Sequence, residues 1–292
     1  MLYLIGIVLN YIEDKQTQVA HVEVQRIEDL SLSFIDVGQG NSTLIIAKEW
    51  VGLIDVGNKE EKLYEGITYN NVQHIDYVFV THPDLDHYGA WETLVDNGFI
   101  DSNTVFYQPV FYFDEEDTGE QYREMLDYFE ENGISVKGIN TENQDDILEK
   151  EIADSLDLVW PNPEYSGIIN GKNNNSLVFI INGDNRAFLS GDIENEVEKY
   201  LYETYNLPIC EVFLAPHHGS EYSSAPALLN KLKFKIAVVS VGNNGYGHPH
   251  DNTITRLNYI TEKYNGKENI FRTDVNGTIN ISLDTLETTS VR

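Results

Sequence analysis

The 292-residue sequence predicts an α/β protein in which two related β-rich halves pack as a sandwich, with helices outside and polar side chains converging at one edge. Three observations carry this expectation. Apolar runs of strand length recur through both halves. Two of them, residues 77–80 and 211–215, lead directly into histidine-bearing turns. Each half also runs in one order: a hairpin, a strand ending in aspartate, a helix, then a strand ending in histidine. His82 follows Asp55 by 27 residues, and His217 follows Asp192 by 25.

At this length a large core can be buried, and the uniform rhythm predicts one domain over 1–292, with 1–30 as an N-terminal strand extension. Residues 1–10 are apolar but too short to span a bilayer and carry no basic leader; they read as a strand that pairs with 21–27. No stretch is long and apolar enough to cross a membrane. The single cysteine, Cys210, excludes an internal disulfide framework and fits a reducing, cytoplasmic setting. The 48 acidic against 19 basic residues give a formal charge of −29, which repels polyanions and weighs against a nucleic-acid substrate unless a basic patch overrides it. The relatively basic region is 231–235 with Arg256, Lys263, Lys267 and Arg272, either such a patch or a solvated helix surface.

In chain order, 31–36 is a strand, Val37-Gly38-Gln39-Gly40-Asn41 a glycine turn and 42–47 the returning strand. A third strand, 51–54, ends in Asp55-Val56-Gly57-Asn58. The buried run 77–80 opens into Thr81-His82-Pro83-Asp84-Leu85-Asp86-His87. Four metal-competent side chains, His82, Asp84, Asp86 and His87, thus leave one strand end within six residues, and imidazole with carboxylate is the ligand set of divalent first-row metals. The alternative is a solvated turn. A helix over 88–97 closes at Gly98, and the acidic segment 114–150 reads as mostly helical, without a catalytic role.

The second half opens with strands 176–181 and 186–190 joined across Asn182-Gly183-Asp184-Asn185, a hairpin turn signal. Gly191-Asp192 ends the hairpin, a helix covers 194–204, and strand 211–215 ends in Pro216-His217-His218-Gly219-Ser220. Strand 236–241 precedes Gly247-His248-Pro249-His250. His248 suits a proton donor to a leaving oxygen or a phosphate contact, and equally a hydrogen-bonding loop histidine. Ser220, Ser223, Ser224 and Asn243 could hold phosphate oxygens, although serine-rich loops commonly cap helices. His21, His74 and His250 have no neighbour pattern to recommend them.

The ordered set Asp36-Val-Gly-Gln-Gly40, Ile54-Asp55-Val-Gly57, Thr81-His-Pro-Asp-Leu-Asp-His87, Asn173-Asn-Asn-Ser176, Leu189-Ser-Gly-Asp192, His217-His-Gly-Ser220, Ser240-Val-Gly-Asn243 and Tyr246-Gly-His-Pro249 resembles the metallo-β-lactamase fold, and most of all its ComEC-like branch, the soluble hydrolase domain of a DNA-uptake channel. Arg272-Thr-Asp274 and Asn276-Gly277 continue the likeness. The resemblance implies an αββα sandwich of two mixed β-sheets flanked by helices. It implies metal ligands at His82, Asp84, Asp86, His87 and Asp192, with Asp192 bridging two metals and either His217 or His218 the late histidine. It further implies catalytic parts for Asp86, Asp192 and His248, and supporting parts for Asp36, Asp55, Asn175 and Ser176.

Asp84 and 173–176 stand where many superfamily members have histidines, a departure shared with the branch that shifts the site toward harder ions. One or two divalent ions are expected, manganese or zinc, with magnesium a further candidate. Asn41 stands where the branch has an aspartate, which puts a supporting role for that carboxylate in doubt. The expected activity is a phosphodiesterase or nuclease in which metal-activated water attacks a diester. Hydrolysis of a smaller ester (a cyclic nucleotide, a phosphorylcholine ester or a lactone) and a non-catalytic metal-binding interaction module are the alternatives. The expected partner is a phosphodiester substrate, a nucleic acid among the candidates, and no protein partner is indicated.

Overall fold

A computed structural model describes residues 29–110, 118–166 and 171–292. The expected strands within 1–28 lie outside these residues. Strands β1 (Ser31–Phe34), β2 (Thr43–Ile46) and β3 (Val51–Ile54) pair antiparallel; β4 (Tyr77–Phe79), β5 (Val105–Pro109) and β6 (Ser135–Ile139) then add in parallel. The second sheet repeats this arrangement. β7 (Leu156–Trp160), β8 (Val178–Asn182) and β9 (Arg186–Ser190) are antiparallel, and β10 (Val212–Leu214), β11 (Ile236–Val239) and β12 (Ile270–Arg272) are parallel. The last hairpin, β13 (Thr278–Ser282) with β14 (Thr288–Val291), crosses back to pair with β1, giving one eight-stranded and one six-stranded sheet.

The strands are apolar on both sides because both faces of each sheet are covered. Phe34, Ile54, Phe79 and Tyr107 of the first sheet meet Phe179, Leu189, Leu214 and Val238 of the second in a central core. Outside the first sheet, Leu53, Val78 and Phe106 pack against helices α1 (Glu60–Tyr69), α3 (Trp91–Asp96) and α4 (Glu120–Glu131) through Leu63, Ile67, Leu94, Met125 and Phe129. Outside the second, Phe188 and Phe213 pack against α5 (Asn195–Thr204), α6 (Pro226–Leu232) and α7 (Asp251–Asn265) through Val197, Leu201, Leu228 and Leu257. The result is the αββα sandwich expected.

One local expectation is corrected and a second is extended. The single helix over 88–97 is two pieces, α2 (Leu85–Tyr88) and α3, broken at Gly89, where a Cβ would lie 2.6 Å from the Leu85 carbonyl oxygen and 2.8 Å from Asn58. The described part of the acidic segment 114–150 is helical over Glu120–Glu131 and Gln144–Ile147, and between them it supplies β6, a parallel edge strand held by β5 that the sequence pattern does not mark. Half-buried edge strands tolerate Ser135 and Lys137, so no apolar alternation marks them.

Parallel pairing brings the carboxyl ends of β3, β4, β9, β10 and β11 to one edge. Asp55 leaves β3, His82 to His87 leave β4, Asp192 leaves β9, His217 and His218 leave β10, and the His248 loop leaves β11. In open α/β sheets this is the edge where ligands are held.

Candidate metal centre

The two histidine-bearing turns are built differently. The first is pinned by backbone: the Asn41 N–H donates to the Asp86 carbonyl (3.1 Å) and the Val56 N–H to that of His87 (2.8 Å). Gly40, at φ 144°, permits this approach, since a Cβ there would lie 2.4 Å from the Asp86 carbonyl oxygen. In the second turn His217, His218 and Gly219 are all left-handed, at φ 52°, 53° and 82°. Such backbone costs on the order of 1 kcal/mol or more for each non-glycine residue and persists where surrounding structure imposes it.

Hydrogen bonding sets the tautomers of three buried histidines. His87 directs Nδ1 at Asp55 Oδ2 (2.7 Å), and His218 directs Nδ1 at the Ser240 carbonyl (2.9 Å). His82 Nδ1 lies 3.2 Å from Thr81 Oγ1 and 3.3 Å from Ser176 Oγ. Both hydroxyl protons have other acceptors, Asp55 Oδ2 for Thr81 and the Asn173 carbonyl for Ser176. His82 Nδ1 therefore carries the proton, and each ring turns an Nε2 lone pair inward. All three Nε2 atoms are buried without a hydrogen-bond partner.

They face carboxylates. His87 Nε2 lies 3.3 Å from Asp192 Oδ1, while His218 Nε2 lies 3.3 Å from Asp86 Oδ2 and 3.5 Å from Asp192 Oδ2. His82 Nε2 lies 3.6 Å from Asp84 and 4.0 Å from Asp192. Donor atoms of His82, His87 and Asp192 fall within 4.8 Å of one another, and so do those of Asp86, His87 and His218. An orphaned lone pair in a buried cluster of carboxylates is the arrangement a divalent cation satisfies, so the residues present fit such an ion.

The same geometry governs protonation of the protein alone. Burial by itself would depress the His87 imidazole, but Asp192 and Asp55 outweigh it and push it well above its ordinary value. Burial likewise opposes ionisation of Asp192, yet His218 and His87 hold its carboxyl well below the usual range. His218 is raised against burial by Asp192 and Asp86, and Asp86 is lowered against burial by His218 and His87. Metal binding to such a set displaces protons.

His217 occupies a different position. It is one-fifth exposed, with Nε2 3.8 Å from Asp192 and 3.4 Å from Asn173 Nδ2, and Nδ1 3.6 Å from Glu194. Its ring centroid is 5.2 Å from that of His248. Burial lowers the His248 imidazole, and His217 and His218 lower it further. Asn244, absent from the sequence-based set, shapes this loop by donating from Nδ2 to the His248 carbonyl (2.9 Å) and accepting the His248 N–H at Oδ1 (3.2 Å). Asn243 is exposed on the same loop.

Among the expected supporting residues, Asp55 accepts from the Thr81 N–H (2.7 Å) and from Asn41 Nδ2 (3.0 Å) besides facing His87, and Ser176 Oγ accepts the Asp192 N–H (3.0 Å). Asn41 thus contacts the ligand shell as an amide. Asp36 does not: it accepts the Gly38 N–H and pairs with Lys62 at 2.6 Å, holding the glycine turn. Asn175 is buried with Nδ2 3.4 Å from the Val110 carbonyl.

Ser220, Ser223 and Ser224, expected as phosphate contacts, are all buried. Ser220 Oγ accepts the Tyr222 N–H, Ser223 Oγ donates to the Ile193 carbonyl, and Ser224 is a left-handed residue enclosed in its loop. Of the two readings left open for the basic region 231–235, its position does not favour a patch beside the ligands. It flanks the amino end of β11, a strand length of about 13 Å from the ligand edge, where the Lys235 N–H donates to the Glu211 carbonyl (2.9 Å) just before β10. Lys231 donates to the Tyr202 and Tyr205 carbonyls, and Arg256 to the Ser223 carbonyl (2.9 Å).

Glu198 of α5, which carried no sequence signal beyond a helical position, clamps the loop after the histidine turn. Its buried carboxylate accepts the N–H groups of Ser224 (2.5 Å) and Ala225 (2.6 Å). Burial pushes its carboxyl up from 4.5 to about 7, against those two bonds and Arg256. An acid raised in the folded state stabilises the protein fully below its unfolded value, and that contribution is lost as pH rises through the folded value. Glu198→Gln should therefore abolish a fall in stability of up to ~3 kcal/mol between about pH 4.5 and 7, read by denaturant unfolding of both proteins. Parallel stability curves would show that this carboxyl does not titrate with folding.

A two-sheet αββα sandwich that presents histidine and aspartate donors at the strand ends defines the class of metallo-β-lactamase-fold proteins. The family model of the metallo-beta-lactamase superfamily matches residues 35–243, and the chain belongs to that superfamily, whose members are in general metal-dependent hydrolases that bind divalent metals. It is 27% identical over 270 residues to ComE operon protein 3 of Bacillus subtilis (strain 168), covering 85% of this chain and 32% of that protein. It is 23% identical over 255 residues to the competence protein ComA of Neisseria gonorrhoeae, covering 85% and 31%. The chain thus spans about a third of the length of these curated relatives. Among solved structures, a diphosphatase from the PhnP family superposes with a TM-score of 0.52 at 13% identity, covering 87% of this chain and 98% of that one. The ComEC-like resemblance and the fold class agree with these findings. Among the described residues, no helix is long and apolar enough to cross a membrane.

Proposed function

We propose that the protein is a metal-dependent phosphodiesterase. The observation that carries this reading is the convergence of three buried, unpartnered Nε2 atoms, on His82, His87 and His218, upon Asp84, Asp86 and Asp192. Asp86, His87, His218 and Asp192 would hold one divalent ion, and His82, Asp84 and Asp192 would hold a second, with His217 at the rim. Bound there, such ions activate water and neutralise charge gathering on a phosphodiester. Asp55 fixes the ring of His87, and Ser176 fixes both His82 and the backbone of Asp192. His248, kept neutral by burial and its histidine neighbours, offers a hydrogen bond to a phosphate oxygen or the leaving group rather than a cationic contact. Retention of every carboxylate and imidazole of the set speaks against a decayed, non-catalytic module.

Nuclease activity, suggested by the ComEC-like resemblance, is the second reading, and two observations favour a small diester over DNA. The charge is −29, and the basic run 231–235 lies at the sheet end away from the ligands. Turnover of a small chromogenic phosphodiester, single-stranded DNA and duplex DNA under one metal and salt condition decides between them. The small diester should be cleaved fastest, duplex DNA least, and manganese should support activity at least as well as zinc because Asp84 replaces a nitrogen donor by oxygen. Activity with tightly bound zinc alone would refute the ion preference; cleavage of none of the three would refute the phosphodiesterase.

A further inference from the structure

The two halves of the ligand set differ in one respect that the motif does not account for. Asp86 and Asp192 meet only histidines, whereas Asp84 is claimed by a lysine: Lys172 Nζ lies 2.8 Å from Asp84 Oδ1. Among the described ion pairs, Lys172 is the one lysine or arginine that reaches a carboxylate of the ligand set. Its backbone is fixed, because its carbonyl accepts the Asn175 N–H (3.0 Å) at the start of the turn Asn173–Asn175 that also supports Ser176. Asp84 is equally specific in its orientation. It stands at the N-cap position of α2, yet its carboxylate makes no capping bond, and it points instead at Lys172 and at His82 Nε2, 3.6 Å away. That Nε2 atom is fully buried and has no hydrogen-bond partner.

We propose that Lys172 is a built-in competitor for the His82–Asp84 metal position. Its ammonium group neutralises Asp84 until a second divalent ion displaces it, so the two positions fill in sequence, with the Asp86–His87–His218–Asp192 position first. The proposal rests on the metal-centre reading above and adds the residue that makes the two positions unequal. A unit positive charge within hydrogen-bond distance of one ligand oxygen both occupies a lone pair and repels the arriving cation, and apparent affinity falls by the fraction of protein in which Asp84 is free. Lys172 is two-fifths exposed, so the displaced side chain can turn into solvent without leaving a cavity.

Titration calorimetry of metal-stripped protein with Mn²⁺ tests this directly, alongside Lys172→Met, which keeps the stem and removes the charge, and Lys172→Arg, which keeps the charge. The wild-type protein should bind two ions in resolved tight and weak steps. Lys172→Met should tighten the weak step by about tenfold or more and leave the tight step within about threefold, while Lys172→Arg should keep the weak step weak. A weak step unchanged in Lys172→Met, both steps tightening equally, or two equal steps in the wild-type protein would each overturn the proposal while leaving the metal centre standing. Failure of the wild-type protein to bind Mn²⁺ would overturn the metal centre itself and the proposal with it.

Discussion

Asp192→Asn should reduce turnover by about a thousandfold or more, equivalent to at least ~4 kcal/mol of barrier, in a protein that remains folded. Asp192 leaves β9 with its carboxylate buried among four imidazoles, Oδ1 toward His87 and Oδ2 toward His218, His217 and His82. Oδ2 faces imidazoles of both proposed ion positions, His218 of one and His82 of the other, which places this carboxylate between them. The amide keeps the shape but surrenders the charge and replaces one acceptor with a donor, so two cations would be held close together without the anion between them. The fold should survive because the backbone at this point is held independently, through the Asp192 N–H on Ser176 Oγ and the packing of Gly191, where a Cβ would lie 2.5 Å from Thr81 Oγ1. Turnover in manganese, with thermal unfolding as control, measures the effect. A folded variant with near-normal rates would remove Asp192 from the centre of the site.

The second large effect separates two adjacent histidines. His218→Ala should lower turnover on the order of a thousandfold and remove one bound ion, whereas His217→Ala should cost about tenfold and leave the ion count unchanged. Both residues sit in left-handed backbone, so alanine changes the strain equally at each. Only His218 is buried, with Nδ1 tied to the Ser240 carbonyl and Nε2 3.3 Å from Asp86; His217 stands at the rim between Asn173, Glu194 and His248. Metal content per protein and turnover of each variant give the ranking. The opposite ranking would mean that His217 is the ligand and His218 a buried structural group.

Much of the site was legible because strand ends are legible. An apolar run followed at once by His82, Asp84, Asp86 and His87, or by Asp192, says where the chain leaves the sheet and what it carries, and in the structure donor atoms of His82, His87 and Asp192, and of Asp86, His87 and His218, lie close to one another. The choice between His217 and His218 was not legible. It goes with two successive positive φ values, uncommon for histidine, in a turn that is bonded on either side to distant chain, through the His217 N–H on the Gly191 carbonyl and the His250 N–H on the Gly219 carbonyl. The burial of the serines after this turn was not legible either. A serine in a loop reads as exposed, but Ser220, Ser223 and Ser224 are buried, and Glu198 accepts the N–H groups of residues 224 and 225. The position of the lysines of 231–235 was not legible, because sequence distance from His217 is no guide to which end of a strand they flank.

The sequence by itself determined the period of the strands, the duplication of the two halves and the donor types at the strand ends, since each is a property of residues within a few positions of one another. Tertiary structure alone decided how those ends were aimed and what stood beside them. Asp55 meets His87 across 32 residues, Ser176 meets His82 across 94, and Lys172 reaches Asp84 from the opposite sheet. Those distances close because two sheets buried on both faces must stack with their parallel strand ends together, and nothing local to either partner encodes the meeting.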